Sequence, residues 1–240
     1  MRRMVRAMAG IAGSLVLAGC AAVSPLLPAR PADAGPFAPL LAVSAASVAK
    51  VSGAACSGGG LVGSAFVAGD HLVLTAAHVV AGARSIELSF PGAPPLTARV
   101  VAIDAGDDTA LLRVDGQLPP ALALATSPLS RGDPVGVLGF PLAEQVVHTS
   151  VARVSAFDER VVLEGHQLGD LLVVDAQAPA GSSGGPVIDA AGGVQAMVSA
   201  QIAGRGDRDS SHIVTLGIPA SRLADRVAGW AALPVQRPCP

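Results

Sequence analysis

From Val43 to Gly217 the chain is written in short runs of Val, Leu, Ile and Ala, each broken after a few residues by Gly, Pro or Asp. Such runs are too short and too often interrupted for helices, and their spacing is the signature of an all-β chain. The runs Ala45 to Val51, Leu61 to Val67, His71 to Thr75, Ser85 to Phe90, Thr97 to Asp104 and Ala110 to Val114 form one set. A Pro-rich join from Leu118 to Pro128 follows. The second set comprises Pro134 to Gly139, Gln145 to Ala156, Val161 to Glu164, Leu171 to Ala176, Gly185 to Asp189, Val194 to Gln201 and His212 to Ile218. Two such sets around a join predict two six-strand barrels, the first over about 43–118 and the second over about 129–218. A single helix is expected, over about 219–229: Pro219 suits its first turn, Leu223 and Val227 share a face, and Gly229 is placed to end it.

With 51% hydrophobic and 14% charged residues the chain has ample material for a core. A formal net charge of -2 and the lack of a basic patch disfavour a nucleic-acid partner. The N-terminus reads as an address. Arg2, Arg3 and Arg6 precede an apolar run from Ala7 to Ala18 that is too short to span a bilayer, as in a secretory signal over residues 1–19. Leu17-Ala18-Gly19-Cys20 resembles the bacterial lipobox, which would make Cys20 the lipidation site and the membrane a partner through that lipid. Residues 20–42, with Pro25, Pro28, Pro31, Pro36 and Pro39, are expected to form an extended tether to a folded domain over 43–240. With Cys20 set aside, Cys56 and Cys239 remain as an even pair, which in an oxidising compartment is expected to form a disulfide.

Three separated segments carry chemistry. Thr75-Ala76-Ala77-His78 sets an imidazole just after an apolar strand, and Asp107-Asp108-Thr109-Ala110-Leu111 sets carboxylates just before one. Gly181-Ser182-Ser183-Gly184-Gly185-Pro186 gathers two hydroxyls among residues too small to obstruct an approaching group. A serine hydroxyl is a weak nucleophile near neutral pH, so it needs a base for its proton and a buried acid to hold that base in one tautomer. Ser183, His78 and Asp108 would fill these roles, while Asp104 and Asp107 compete for the last. The backbone N–H groups of Gly181 and Ser183 are the candidate donors for a tetrahedral oxyanion. His71, His148, His166 and His212 lack the spaced partners of a zinc site, and Ser57 to Gly60 lacks the ending of a phosphate loop, so neither metal nor cofactor is expected.

Taken in order, these three motifs resemble those of the trypsin-like serine proteases. Gly63-Ser64-Ala65-Phe66-Val67 and Gly217-Ile218-Pro219 are similar to the HtrA-like bacterial branch. The resemblance implies two six-stranded antiparallel β-barrels of the chymotrypsin type with a C-terminal helix. It favours Asp108 as the acid, since the family places that group two residues before Ala-Leu. It puts a pocket base at Gln177 and a substrate-binding wall at Ser199, Ala200 and Gln201, with no carboxylate to favour Arg or Lys. Cys56 and Cys239 match the terminal cysteine pair of acid-resistance proteases of the mycobacterial periplasm. Where animal zymogens carry an Asp before the nucleophile this chain has Ser182, so activation by capture of a new N-terminus is not expected. Only 57 residues follow Ser183, too few for an attached peptide-sensing domain, and a monomer is expected. The implied activity is extracytoplasmic endopeptidase action on a protein or peptide substrate. The competing expectation is a lipid-anchored binding module that keeps the fold without turnover.

Overall fold

The computed structural model describes residues 37–141, 144–163, 165–203, 213–237 and 239. The expected signal, Cys20, most of the tether and His212 lie outside them. Strands β1 (Val48–Ala55), β2 (Gly60–Gly69), β3 (Leu72–Thr75), β4 (Ala83–Ser89), β5 (Leu96–Asp104) and β6 (Thr109–Val114) close a first antiparallel barrel in the order β1-β2-β3-β6-β5-β4. Strands β7 (Pro134–Gly139), β8 (His148–Leu163), β9 (His166–Val174), β10 (Pro186–Asp189), β11 (Val194–Ala203) and β12 (Ile213–Pro219) close a second, in the order β10-β11-β12-β9-β8-β7. Closure leaves no open sheet edge in either set. The expected all-β, two-barrel class therefore holds.

The strand alternation places the core. In β7, Val135 and Val137 point into a cluster within the second barrel, whereas Leu138, with Phe140 just after the strand, joins a larger core continuous with the first. The Pro-rich join is stitched to both barrels. Leu122 N–H donates to Val67 O, Val194 N–H to Ala123 O, and Ala125 N–H to Val194 O.

Three local expectations need correction. The runs read as separate strands at Gln145 to Ala156 and Val161 to Glu164 belong to the one 16-residue strand β8, which starts at His148. Polar Asp158, Glu159 and Arg160 break the apolar pattern, but the ladder with β9 continues through bulges, with Asp158 at φ 59°. Secondly, the tether ends earlier than expected, and the strand read from Ala45 begins at Val48: residues Ala38–Ala45 form a helix, α1, with Pro39 tolerated in its first turn. Leu41 of α1 is 1% exposed and lies over Gly136 of β7, where any Cβ would come within 2.2 Å of Leu41 Cδ2. Thirdly, Gly229 does not stop the C-terminal helix α3, which runs Ala220–Trp230, starting a residue after Pro219. A further short turn of helix, α2 (Ala77–Val80), follows β3.

The chain ends by returning to the first barrel. Gln236 N–H donates to Val100 O, and Cys239 is bonded to Cys56 at the end of β1, 183 residues away in sequence. The N-terminal helix thus rests on the second barrel and the C-terminal tail on the first. Leu41→Ala is expected to lower stability by about 2–5 kcal/mol through loss of buried contact and the cavity left behind. Urea unfolding monitored by circular dichroism measures this, and a loss below about 1 kcal/mol would mean that α1 does not hold the barrels.

Candidate active site

The site forms where the ends of several strands meet between the barrels. At the end of β3 the chain turns at once into α2, so His78 is carried in a first helical turn beside the cleft, its side chain 22% exposed. Small Ala76 and Ala77 permit that tight turn and are themselves buried. The carboxylate arrives from the start of β6, the strand paired directly with β3. After β5 a single 3-10 turn, Ala105–Asp107, ends at Asp108, whose backbone adopts the left-handed conformation (φ 43°) before β6 begins. Aspartate tolerates this region better than most residues.

Asp108 is 2% exposed, and its carboxylate is met by donors on both oxygens. His78 Nδ1 lies 2.9 Å from Oδ1 and 3.1 Å from Oδ2, and the His78 backbone N–H donates to Oδ1 at 3.1 Å. The Ser199 hydroxyl donates to Oδ2. An imidazole N–H facing an ionised carboxylate fixes the tautomer, leaving Nε2 as the basic nitrogen. Asp107 and Asp104, the competing carboxylates, face away from the ring: both oxygens of Asp107 are taken by Arg222 and Arg226, and Asp104 pairs with Arg226.

The serine loop leads into β10 from the second barrel. Ser183 is half-buried and its hydroxyl donates to Ser199 O at 3.3 Å. Ser199 therefore touches two of the three groups, the serine through its carbonyl and the acid through its hydroxyl. The loop itself is fixed from the first barrel. Ser64 N–H donates to Ser183 O (2.8 Å), Ser64 Oγ donates to Gly181 O (2.7 Å) and accepts from Phe140 N–H (2.8 Å), and Thr75 Oγ1 donates to Ser64 O (2.7 Å). Gly184, at φ +87°, passes so close to this cluster that a Cβ would lie 2.1 Å from Ser64 O and 2.5 Å from Thr75 Oγ1. No larger residue fits there. Among the described residues, neither the Gly181 nor the Ser183 N–H is engaged by a protein acceptor.

The expected pocket residues divide. Ala200 and Gln201 are half-buried in β11, and Gln201 Nε2 is buried without a partner among the described residues. Gln177 is exposed on the segment before the serine loop. Thr215, fully buried in β12, holds that segment by donating to Ala176 O and accepting from Ala178 N–H. Ser199 sends its side chain to Asp108 instead of into a pocket. Ser64 and Thr75 are neighbours of the site to which the motifs gave no role, and Ser199, expected in the substrate-binding wall, bonds the carboxylate. The signal available in sequence was a hydroxyl set inside an apolar strand, since a buried hydroxyl must find a partner.

A family model described as a trypsin-like peptidase domain matches residues 63–197. Serine protease Rv3671c of Mycobacterium tuberculosis is 34% identical over 172 residues, covering 68% of this chain and 42% of that protein. Mitochondrial serine protease HTRA2 of Bos taurus is 32% identical over 167 residues, covering 68% of this chain and 35% of that one. The chain thus spans between about a third and two fifths of the length of these two relatives. Among solved structures, the active form of the M. tuberculosis Rv3671c protease superposes with a TM-score of 0.71 at 28% identity, covering 96% of this chain and 97% of that one. The HtrA-type protease AlgW with a tripeptide gives 0.70 at 26% identity, covering 81% and 63%. With the family model spanning more than half of its length and a neighbouring structure matched nearly end to end, the chain belongs to the trypsin-like peptidase family.

Proposed function

We propose that the chain is a serine endopeptidase acting outside the cytoplasm, with Ser183 as nucleophile, His78 as general base and Asp108 as the acid that orients it. The observation that carries this reading is the convergence on Ser199: its hydroxyl caps the buried carboxylate bound to His78, and its carbonyl receives the Ser183 hydroxyl. Turnover begins when Ser183 Oγ rotates from that carbonyl toward His78 Nε2, gives up its proton there and bonds to the carbonyl carbon of a peptide. The resulting oxyanion is received by the Gly181 and Ser183 N–H groups. Each such donor contributes about 3–4 kcal/mol to the transition state. Collapse breaks the C–N bond as His78 returns its proton to the leaving amine, and water then releases the acyl group by the reverse sequence.

The other expectations extend this reading. Gln177 and Gln201 bring no charge to the pocket, and Asp170 is turned toward Arg222 and Arg160 at 3.6 and 3.9 Å, so the favoured side chain before the cut is small or medium and uncharged. The leader, with Cys20 as the acylated residue, and the Cys56–Cys239 bond support a protein held on the outer side of a membrane. Residues 43–240 then serve as the protease domain, acting as a monomer on protein or peptide substrates.

Ser183→Ala is expected to abolish both casein cleavage and labelling by a fluorophosphonate probe. Labelling that persists on another residue would refute the nucleophile, and a native protein that neither labels nor cleaves would favour the inactive binding module. On a peptide library, cleavage after Ala, Val or similar residues should exceed cleavage after Arg or Lys; the opposite order would refute the pocket assignment. Alkylation without reductant, read by mass spectrometry, should leave Cys56 and Cys239 unmodified, whereas modification of both would show that the native pair is open.

A further inference from the structure

Helix α3 follows the second barrel, yet its charged face is spent on the first. Arg222 and Arg226 lie one turn apart, and both reach the 3-10 turn immediately before Asp108. Arg222 Nη1 donates to Asp107 Oδ1 at 2.9 Å, while Arg226 donates to Asp107 Oδ2 through Nη2 at 2.9 Å and Nε at 3.2 Å. Arg226 also pairs with Asp104 Oδ2 at 2.7 Å, and the other oxygen of Asp104 accepts the Asp107 N–H at 3.1 Å. Arg222 meanwhile donates to Gly169 O of β9 at 2.9 Å, so the same guanidinium spans both barrels.

This cluster differs from an ordinary surface ion pair. The Asp107 side chain is only 13% exposed, both its oxygens are engaged, and the bonds are charge-assisted and held by two planar guanidiniums. Isolated exposed pairs contribute little because solvent competes for them. The next residue, Asp108, holds a left-handed backbone that a chain with a side chain does not choose unaided, so the flanking residues must impose it. Thr109 completes the brace by donating its fully buried hydroxyl to Asp107 O at 2.9 Å.

We propose that Arg222 and Arg226 are positioning residues for the reaction: through Asp107 they hold the turn that aims the Asp108 carboxylate at His78, so that docking of α3 on the first barrel sets the activity of the site. This rests on the catalytic reading of Asp108 given above. Neither arginine touches substrate. Their contribution is to the fraction of time that the acid faces the ring, which enters the rate of acylation and not the binding of substrate.

The chain carries an internal reporter of the docking. Trp230, its one tryptophan, ends α3 with the Arg226 guanidinium 5.3 Å from its ring. The test compares wild type, Arg222→Gln with Arg226→Gln, Arg222→Lys, and Asp107→Asn, which leaves the helix intact should the double variant fail to fold. Three quantities are read: the maximal rate and half-saturation of labelling by a fluorophosphonate, Trp230 emission, and the far-downfield proton resonance of His78 Nδ1–H bonded to Asp108. The double variant and Asp107→Asn are expected to lose about tenfold to a hundredfold in maximal labelling rate, part of the roughly 10⁴-fold loss that follows loss of the acid itself. Half-saturation should stay within about twofold, the downfield resonance should weaken, and Arg222→Lys should recover part of both. An unchanged rate and resonance while Trp230 emission shifts would overturn the proposal, as would a rate that falls with the resonance intact. The resonance separates this failure from that of the wider reading: a wild type unlabelled at Ser183 refutes the peptidase, whereas the coupling of the clamp to Asp108 is still read from the His78 proton.

Discussion

A carboxylate taken out of water must be repaid in hydrogen bonds, and Asp108 is the residue around which this molecule meets that demand. At 2% exposure its charge would be untenable alone. Its donors come from α2, through the ring and backbone of His78, and from β11, through Ser199. Because one donor set belongs to the first barrel and the other to the second, the acid is satisfied only when the barrels are in contact. The carboxylate that holds the His78 ring therefore also ties the two halves together. It further explains why Ser199 is buried and hydroxylated where a pocket wall would need neither property.

A second polar seam answers the first from the opposite direction. Ser64, fully buried in β2 of the first barrel and itself held by the Thr75 hydroxyl on its carbonyl, bonds the main chain of the serine loop, which belongs to the second. Gly184 lets the two backbones approach to a distance that excludes a methyl group. Asp108 thus receives a donor from the second barrel, and the serine loop is held from the first. The chain ends reinforce this exchange: α1, leading into the first barrel, packs Leu41 on the second, while α3, leaving the second, packs its arginines on the first. Each barrel is pinned by a segment that belongs in sequence to the other, and the cleft between them is held from both ends.

Much of this was legible from residue order alone. Closed barrels follow from short strands and frequent turns because an isolated strand of that length cannot satisfy its own backbone, and the sheet must close to leave no edge. The strand β8 was harder to see. Its polar centre at Asp158, Glu159 and Arg160 breaks the periodicity, and only its bulged pairing with β9 shows that the ladder continues. The helix α1 is hidden in the sequence for the opposite reason: five prolines predict an extended chain, but Pro39 falls in a first turn, where a missing N–H does no harm. What makes that turn helical is a partner, Gly136 of β7, which lies almost a hundred residues away in sequence.

The sequence by itself determined the fold class, singled out Ser183 and His78 with three nearby aspartates as candidates, and called for glycine around the serine, because these depend on local period and on chemistry that few residue types can perform. Only the tertiary structure decided which of three neighbouring aspartates meets the imidazole, that Ser199 serves the acid and not a pocket, and that Arg222 and Arg226 reach back to the turn before it. Those outcomes depend on which groups from distant strands arrive within about 3 Å of one another. Distance across a cleft is set by the packing of two barrels, and no spacing along the chain encodes it directly.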